Sequence, residues 1–232
     1  MSVNIKQSFF GTPPIVTSGL TMYLDCGNLI SYPQSGITIT DLSGNGKNGT
    51  ITFTGSTLPV FNRSNNGYLP FDGTGQTLNP SLSLTPDNST QSVWFNWNGV
   101  NTTYHYLTYI GNGGGTGLGV LLNYSILNSL YVIIGGIDFY FNTPISSNKW
   151  YNVVLTRNTL TNSFYVNGKL IGSNTVTPNS NTTSLPYSLN GSGEALPSPP
   201  VYLSSIQVYN RGLTLNEVEQ NYNSLKGRFG LN

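Results

Sequence analysis

The chain has 232 residues with nine basic and eight acidic side chains, so its formal net charge is +1 and charged residues make up only 7% of the sequence. The basic residues are scattered singly, which argues against the basic patch that a nucleic-acid-binding surface requires. No apolar run approaches the roughly 20 residues that span a bilayer, so we expect neither nucleic acid nor a membrane as a partner.

The first 18 residues differ in character from the rest. Phe9 and Phe10 precede the proline pair Pro13-Pro14, a combination that favours an extended arm over a packed strand. We predict that residues 1–18 form an N-terminal arm that docks on a neighbouring subunit, and the alternative is a strand or lid on the protein's own surface. No basic-then-apolar signal segment stands at the start, so we expect synthesis in the host cytoplasm without a signal peptide.

From Leu20 onward the sequence is a succession of short strands separated by turns rich in Gly, Asn and Pro. In one of them Val93, Phe95 and Trp97 alternate with Trp94, which places the three on one face and Trp94 on the other. Residues 166–169 (VNGK) carry the Asn-Gly pair of a type I′ hairpin turn. Strands of this length and spacing predict a β-sandwich, whereas residues 177–200, rich in Ser, Asn and Pro, predict an exposed functional loop or a subunit contact.

A single helix is predicted at the end of the chain, at about residues 214–225. Thr214 and Glu217 have the spacing of a capping box, in which each side chain satisfies a backbone N–H of the first helical turn. Leu215, Val218 and Tyr222 recur at helical spacing, so the helix should pack one apolar stripe on the edge of the sandwich.

Several segments in a fixed order resemble one known family: residues 19–28 (GLTMYLDCGN), 41–49 (DLSGNGKNG), 71–73 (FDG), 149–154 (KWYNVV), 165–169 (YVNGK) and 222–230 (YNSLKGRFG). The chain resembles the concanavalin A-like lectin/glucanase, or laminin-G-like, domain family. This resemblance implies an all-β, concanavalin A-like jelly-roll β-sandwich of two antiparallel sheets with a short C-terminal helix, here spanning residues 19–232.

The closing segment is similar to that of family members in phage and large-virus particles. The resemblance therefore implies a non-enzymatic structural virion protein, either a capsid decoration or a tail or fibre component, located on the virion surface. Its expected partners are other virion proteins and further copies of itself in a homo-oligomer. The alternative is a carbohydrate-binding, lectin-like adhesion or receptor-binding module that recognises a host-surface glycan.

Catalytic chemistry is not indicated. Glycoside hydrolysis generally uses two carboxylates that flank the scissile bond, and the related glucanases carry theirs in one Glu-x-Asp-x-Glu strand, which is missing here. Glu217 and Glu219 are the only acidic residues close in sequence, and both fall in the predicted helix. We expect no enzymatic activity, and we interpret His105, the only histidine, as structural or solvent-exposed.

Calcium is the one cofactor that the resemblance suggests, because many laminin-G-like relatives bind it at one rim. Asp41 and Asn45, with Ser43 between them, are the candidate ligands in a Gly-rich turn, and Ca²⁺ prefers such oxygen donors. The same residues are equally explained without metal, since Asp41 can bind the amides of its own turn. No other cofactor is expected.

Glycan binding would rest on an aromatic surface in the middle strands. The candidate residues are Tyr104, Tyr106, Tyr109, Tyr124 and Tyr140. The alternative is that these tyrosines occupy half-buried strand positions, which suit them, or a subunit interface, where tyrosine is enriched.

Overall fold

The structure is a computed structural model that describes residues 12–55, 57–99, 104–111, 117–124, 126–135, 137–175, 184–189 and 200–232, with the backbone alone at 138–140 and 142. In these ranges the chain forms strands β1 (Leu20–Asp25), β2 (Thr38–Ile39), β3 (Gly49–Phe53), β4 (Leu69–Pro70), β5 (Gln76–Pro80), β6 (Ser83–Leu84), β7 (Asn88–Trp97), β8 (His105–Ile110), β9 (Leu118–Leu122), β10 (Ser129–Ile134), β11 (Ile137–Pro144), β12 (Lys149–Asn158), β13 (Thr161–Val166), β14 (Lys169–Thr175), β15 (Leu185–Leu189) and β16 (Val201–Tyr209). Helix α1 (Leu215–Leu225) and two 3₁₀ turns (Ser64–Asn66 and Lys226–Phe229) complete these elements.

The strands form two antiparallel sheets. One has seven strands in the order β1-β16-β7-β12-β13-β14, with β4 paired to β16. The other has nine strands in the order β11-β10-β9-β8-β15-β5-β3-β2, with β6 paired to β15. The predicted all-β concanavalin A-like sandwich with a C-terminal helix is confirmed.

The main core lies between the two sheets. Val93, Phe95 and Trp97 of β7 point into it, and Trp94 belongs to a separate cluster on the outer face of the seven-stranded sheet. The alternation predicted for this strand is therefore confirmed. The predicted hairpin is also present, because Val166 pairs with Lys169 across a turn whose two central residues have positive φ.

Helix α1 begins with the predicted capping box. The Glu217 amide donates to the Thr214 hydroxyl, and the Glu217 carboxylate accepts from the Thr214 amide. Trp94 stacks on Phe229, with ring centroids 4.2 Å apart, and on Tyr222 at 5.7 Å. The helix and the 3₁₀ turn after it thus cover the outer face of the seven-stranded sheet.

In the segment from residue 177 to residue 200 the structure describes residues 184–189 and 200, and the prediction for the other positions falls outside the described residues. Strand β15 lies within it and fills the position between β8 and β5 in the nine-stranded sheet. Leu185, Tyr187 and Leu189 alternate into the core, so for these residues the prediction of an exposed loop was wrong. Three apolar side chains at period two were enough to bury the strand despite its polar neighbours. No helix in the described ranges is long and apolar enough to cross a membrane.

Candidate functional site

Tyrosines gather on the outer face of the nine-stranded sheet, away from the main core. The register of the strands places Tyr106 of β8 opposite Leu121 of β9, and Leu121 opposite Tyr131 of β10. These three residues pack with Tyr109 and Ile133 in a cluster of their own. We call this cluster, together with Tyr104 and Tyr124 at its end, the tyrosine face.

Tyr104 and Tyr124 form the accessible part of the tyrosine face. Their side chains are 37% and 40% exposed, and their ring centroids lie 5.4 Å apart with an interplanar angle of 83°. Tyr124 also contacts the buried Tyr131 edge-on, at 5.7 Å. Two exposed rings at right angles, backed by a third, make an angular aromatic corner.

Four of the five tyrosines predicted as glycan-binding residues lie on the tyrosine face, and their binding of a glycan stays a prediction. Tyr104, Tyr106, Tyr109 and Tyr124 all lie on the tyrosine face, with Tyr106 and Tyr109 4.6 Å apart. Tyr106 and Tyr109 are buried, so the half-buried strand position considered as an alternative describes them better than direct contact with a ligand. Tyr140 lies in β11, and its side chain is outside the described residues.

Tyr131 is the aromatic residue that sequence reasoning missed. Leu130, Val132 and Ile134 of β10 point into the main core, whereas Tyr131 and Ile133 lie on the other face. The sequence gives little signal for Tyr131, because residues 130–134 (LYVII) form a continuous apolar run in which periodicity does not separate the two faces.

Glycines determine how Tyr109 lies on the sheet. A Cβ atom added to Gly117 would be 2.1 Å from Cζ of Tyr109, and one added to Gly111 would be 2.5 Å from it. The ring therefore lies directly over backbone, an approach that only glycine permits. These contacts hold β8 and β9 in close register beneath the aromatic cluster.

A polar connection through the core fixes β8 from the other side. The Thr108 hydroxyl donates to Oε1 of Gln91 at 2.6 Å and lies 2.8 Å from the Tyr187 hydroxyl, while the Gln91 amide donates to the Leu118 carbonyl. Burial raises the pKa of Tyr187, so its hydroxyl remains a proton donor or acceptor and carries no charge. Because buried polar groups are costly unless paired, this network links the two sheets in one arrangement.

The outer face becomes polar toward the other end of the same sheet. Thr52 of β3 and Thr77 of β5 lie opposite each other with their hydroxyl oxygens 2.6 Å apart, and the Asn79 amide donates to both. Thr50 is an exposed neighbour on β3. This polar ladder presents hydroxyl and amide groups on β3 and β5, which β15 separates from β8 in the same sheet.

Eight of the nine strands of this sheet lack charged residues, and the ninth, β11, contains Asp138, whose side chain is outside the described residues. Strands β2, β3, β5, β6, β8, β9, β10 and β15 contain no Asp, Glu, Lys or Arg. A surface that combines aromatic rings with neutral hydrogen-bonding groups can bind an uncharged polyhydroxylated molecule, and it offers nothing to attract phosphate.

The candidate calcium ligand Asp41 is saturated by its own turn. Its Oδ1 accepts from the amides of Tyr23 (2.8 Å) and Ser43 (2.9 Å), and its Oδ2 accepts from the Lys47 amide (2.9 Å) and the Ser43 hydroxyl (2.8 Å). Burial acts to raise the pKa of Asp41, but these hydrogen bonds outweigh burial and hold it below its ordinary value. The metal-free interpretation of this carboxylate accounts for all of its contacts.

Asn45, the second candidate ligand, faces the same turn. Its side-chain amide donates to the Leu20 carbonyl at 3.0 Å and to the Ser43 hydroxyl at 3.0 Å. Among the residues that the structure describes, no three His, Cys, Asp or Glu side chains gather as a metal site would require. Calcium binding at Asp41 and Asn45 stays an untested prediction.

Part of the predicted arm is bound by its own chain. The carbonyls of Pro13 and Pro14 accept from Ser224 and Gln220 of α1, at 2.5 Å and 2.8 Å. The Val16 amide donates to Asn221 at 2.8 Å. Residues 13–16 thus run along the C-terminal helix, which agrees with the alternative of a segment that lies on the protein's own surface. Phe9 and Phe10 lie outside the described residues. Docking on a second subunit stays a prediction.

The comparisons with known proteins agree with this architecture. Residues 71–219 match the family described as the concanavalin A-like lectin/glucanases superfamily. This protein therefore belongs to the concanavalin A-like lectin/glucanase superfamily. No curated protein sequence matches the chain significantly.

Solved structures of similar fold include domains of three different proteins. Domain 4 of AbnA, an extracellular GH43 arabinanase from Geobacillus stearothermophilus solved with arabinotriose, has 15% sequence identity and a TM-score of 0.71, covering 88% of this chain and 98% of that one. Trypanosoma rangeli sialidase in complex with sialic acid has 18% identity and a TM-score of 0.69, covering 94% of this chain. The binding domain of Paraclostridial Mosquitocidal Protein 1 has 19% identity and a TM-score of 0.66, covering 90% of this chain.

The extent of these matches differs. This chain spans 36% of the sialidase structure and 52% of the mosquitocidal one, but nearly all of the arabinanase domain. At such identities the likeness establishes the fold and not the ligand.

Proposed function

We propose that this protein binds carbohydrate through the tyrosine face and catalyses no reaction on it. The observation that carries the proposal is the pair formed by Tyr104 and Tyr124, two exposed rings 5.4 Å apart and nearly perpendicular. Aromatic rings with a polar hydroxyl contact the C–H face of a sugar while hydrogen-bonding at its edge. An angular pair suits a chain of sugars whose successive rings are turned relative to each other.

The rest of the sheet supports a neutral glycan. The polar ladder of Thr52, Thr77 and Asn79 adds hydroxyl and amide groups that pair with sugar hydroxyls. Eight of the nine strands of this sheet contain no Asp, Glu, Lys or Arg, which disfavours an ionic ligand on the part of the face that they form. A small number of polar groups beside aromatic contacts is the usual composition of a ligand site.

Five of the six acidic side chains that the structure describes are used structurally, and the sixth, Glu219, is exposed on α1, which supports a non-catalytic role. Asp25, Asp87 and Glu217 form ion pairs with arginines, and Asp41 is bound by its turn. Asp72 accepts from the amide and hydroxyl of Thr74. A glycosidase of the usual kind needs one carboxylic acid and one carboxylate placed on either side of a sugar bond.

The structural relatives favour the same reading. The arabinanase domain was solved with arabinotriose, and the sialidase with sialic acid. The virion-protein function, the virion-surface location, the viral partners and the homo-oligomer, all predicted from the sequence, stay predictions, and none of the three structures named above is described as a virion protein.

A glycan array followed by calorimetry tests the proposal. We expect the wild-type protein to bind a neutral oligosaccharide, and Tyr124→Ala and Tyr104→Ala each to weaken that binding about tenfold, because each removes one ring from the contact. Tyr124→Phe keeps the ring and should retain most of the affinity.

Leu170→Ala provides a matched control, because Leu170 is a similarly exposed apolar residue on β14 of the other sheet. Its affinity should equal that of the wild type. Wild-type binding that survives both tyrosine truncations, or no binding to any neutral glycan, would overturn the proposal. Incubation of the bound oligosaccharide with the protein should release no reducing sugar, and release would refute the non-catalytic part.

A further inference from the structure

A second surface, remote in strand order from the tyrosine face, has the form of a small ligand site. It is a depression of about 350 Å³ between the β1–β2 connection and the segment before β4, lined by Gly27, Leu29, Gln34, Phe61, Arg63 and Asn66. The volume lies at the lower end of the range for small-molecule sites, which suits one sugar ring better than an oligosaccharide. We call it the rim depression.

Beside the rim depression the backbones of Gly27, which lines it, and Gly67 are in close contact, and we call this pair of glycines the floor. A Cβ atom added to Gly67 would be 2.8 Å from Cα of Gly27 and 2.7 Å from Cζ of Phe61, and one added to Gly27 would be 1.9 Å from the Asn66 carbonyl oxygen. Both positions therefore require glycine, and Gly67 has φ of +112° as well.

The floor is held rigidly from beneath. The Gly67 carbonyl accepts from Nη2 of Arg228 at 2.8 Å, and the Asn65 carbonyl accepts from its Nε at 2.9 Å. The Gly27 amide donates to Asp25 at 2.8 Å. Because these partners are buried and paired, the depression exists before any ligand binds, and binding need not supply the cost of ordering it.

The walls combine one cation with apolar and amide groups. Arg157, Arg211 and Arg228 each form an ion pair with a carboxylate. Arg63 has neither an ion pair nor a hydrogen bond within the described part of the chain, and its side chain is exposed at the depression. Its guanidinium is therefore available to an external anion.

We propose that the rim depression binds a sugar acid, with Arg63 pairing its carboxylate. A guanidinium presents two parallel N–H groups whose spacing matches a carboxylate. Phe61 and Leu29 offer apolar contact to the C–H side of the ring, and Gln34 and Asn66 offer amides to its hydroxyls. This site uses none of the residues of the tyrosine face, so it stands independently of neutral glycan binding there.

A carboxylate fits better than a phosphate or sulfate. The lining residues include one basic side chain and no second cation, whereas sites for doubly charged anions generally combine several donors and positive charges. The apolar walls also disfavour a small inorganic anion, which leaves them uncovered.

Titration with D-glucuronate, followed by amide chemical shifts in NMR, tests the proposal. We expect saturable shifts at Gly27 and Gly67 with a dissociation constant on the order of 1 mM, as suits a ligand of this size. Arg63→Gln should weaken binding about tenfold or more. Arg63→Lys should weaken it to a lesser extent, because lysine keeps the charge but lacks the two parallel N–H groups of the guanidinium. Lys149→Gln, which removes an equal charge from the exposed first residue of β12, should have no effect.

Two further ligands, D-glucose and acetate, test whether the site requires both the carboxylate and the sugar ring, and one variant tests whether it is independent of the tyrosine face. D-Glucose should bind much more weakly than D-glucuronate, and acetate should not displace it at equal concentration. Equal binding of glucose, displacement by acetate, unchanged affinity in Arg63→Gln or no saturable shift would each overturn the proposal. Tyr124→Ala should leave glucuronate binding intact, so failure of the tyrosine face and failure of the rim depression are distinguishable.

Discussion

The guanidinium of Arg228 lies 2.7 Å from the carboxylate of Asp25, joining two residues 203 positions apart in the chain. Both side chains are nearly buried, with 10% and 6% exposed. Arg228 also donates to the Ser204 hydroxyl at 2.6 Å and to the carbonyls of Asn65 and Gly67. The end of the chain is thereby attached to β1, to β16 and to the loop that forms the rim depression.

Asp25→Asn should destabilise the protein strongly. The substitution leaves the Arg228 cation buried without its counter-ion, and breaking such a pair typically costs about 3–5 kcal/mol. The Asp25 carboxylate also accepts from the Tyr23 hydroxyl at 3.1 Å, so a second contact is weakened. We expect the midpoint of urea unfolding to fall accordingly, with an unchanged slope.

The double variant Asp25→Asn with Arg228→Met is the control, because it removes both charges. It should recover part of the loss, and the coupling energy from the complete double-mutant cycle measures the pair itself. Independent, additive effects of the two substitutions would contradict the ion-pair interpretation.

Asn221→Ala should loosen the attachment of residues 13–16 to the helix. The buried Asn221 side chain accepts from the Val16 amide and donates to the Tyr209 hydroxyl, which in turn donates to the Val16 carbonyl. Removing it leaves buried polar groups unpaired, and each costs about 1–3 kcal/mol. Thermal unfolding should show the loss.

Truncation extends this prediction. Deletion of residues 1–12 preserves the hydrogen-bonded network, so this truncated protein is the reference for the free energy of unfolding. Deletion of residues 1–17 removes Val16 and should destabilise the protein by about as much as Asn221→Ala. Equal stability of the two truncated proteins would show that the network contributes nothing.

The local features of the fold could be predicted from the sequence, whereas the contacts between distant residues could not. The capping box of Thr214 and Glu217 depends on a spacing of three residues, and the alternation in β7 depends on a period of two, so both were predictable. Asp25 and Arg228 are single charged residues without a local pattern. Only the topology of the seven-stranded sheet brings them together.

In the candidate site, too, the local pattern was predictable and the spatial arrangement was not. Tyr104 and Tyr124 were predicted as a group because tyrosines recur in neighbouring strands, but their mutual angle and their exposure depend on the β8–β9 register. Arg63 was not identified, because an isolated arginine in a loop has no distinctive spacing. Its significance depends on a depression whose glycine floor exists only after folding.

Gly168→Ala should destabilise the β13–β14 hairpin. Gly168 has φ of +75°, which a residue with a Cβ atom adopts at a cost of about 1 kcal/mol. The added methyl group would also lie 2.8 Å from Cδ1 of Tyr222, a residue of α1. Lys169→Ala is the control, since Lys169 is the exposed next residue of the same hairpin, and it should be nearly neutral in denaturant unfolding. A neutral Gly168→Ala would contradict the contact between the hairpin and the helix.

Glu217 should make stability fall at acid pH. Its carboxylate forms two hydrogen bonds with Arg211, at 2.6 Å and 2.9 Å, and this partner lowers its pKa to about 2. Since the pKa is lower in the folded state than in the unfolded one, the stabilisation is complete above about pH 5 and is lost as pH falls toward about 2. The pair is partly exposed, so its contribution is about 1 kcal/mol.

Glu217→Gln isolates this contribution from the other carboxylates. Glutamine at this position preserves the capping box with Thr214, so the variant loses only the titrating charge. Its unfolding free energy should lie below that of the wild type at about pH 7 and should converge with it at about pH 2, where Glu217 is losing its charge. A difference that stays constant across this range would mean that the ion pair with Arg211 is not the source of the stabilisation.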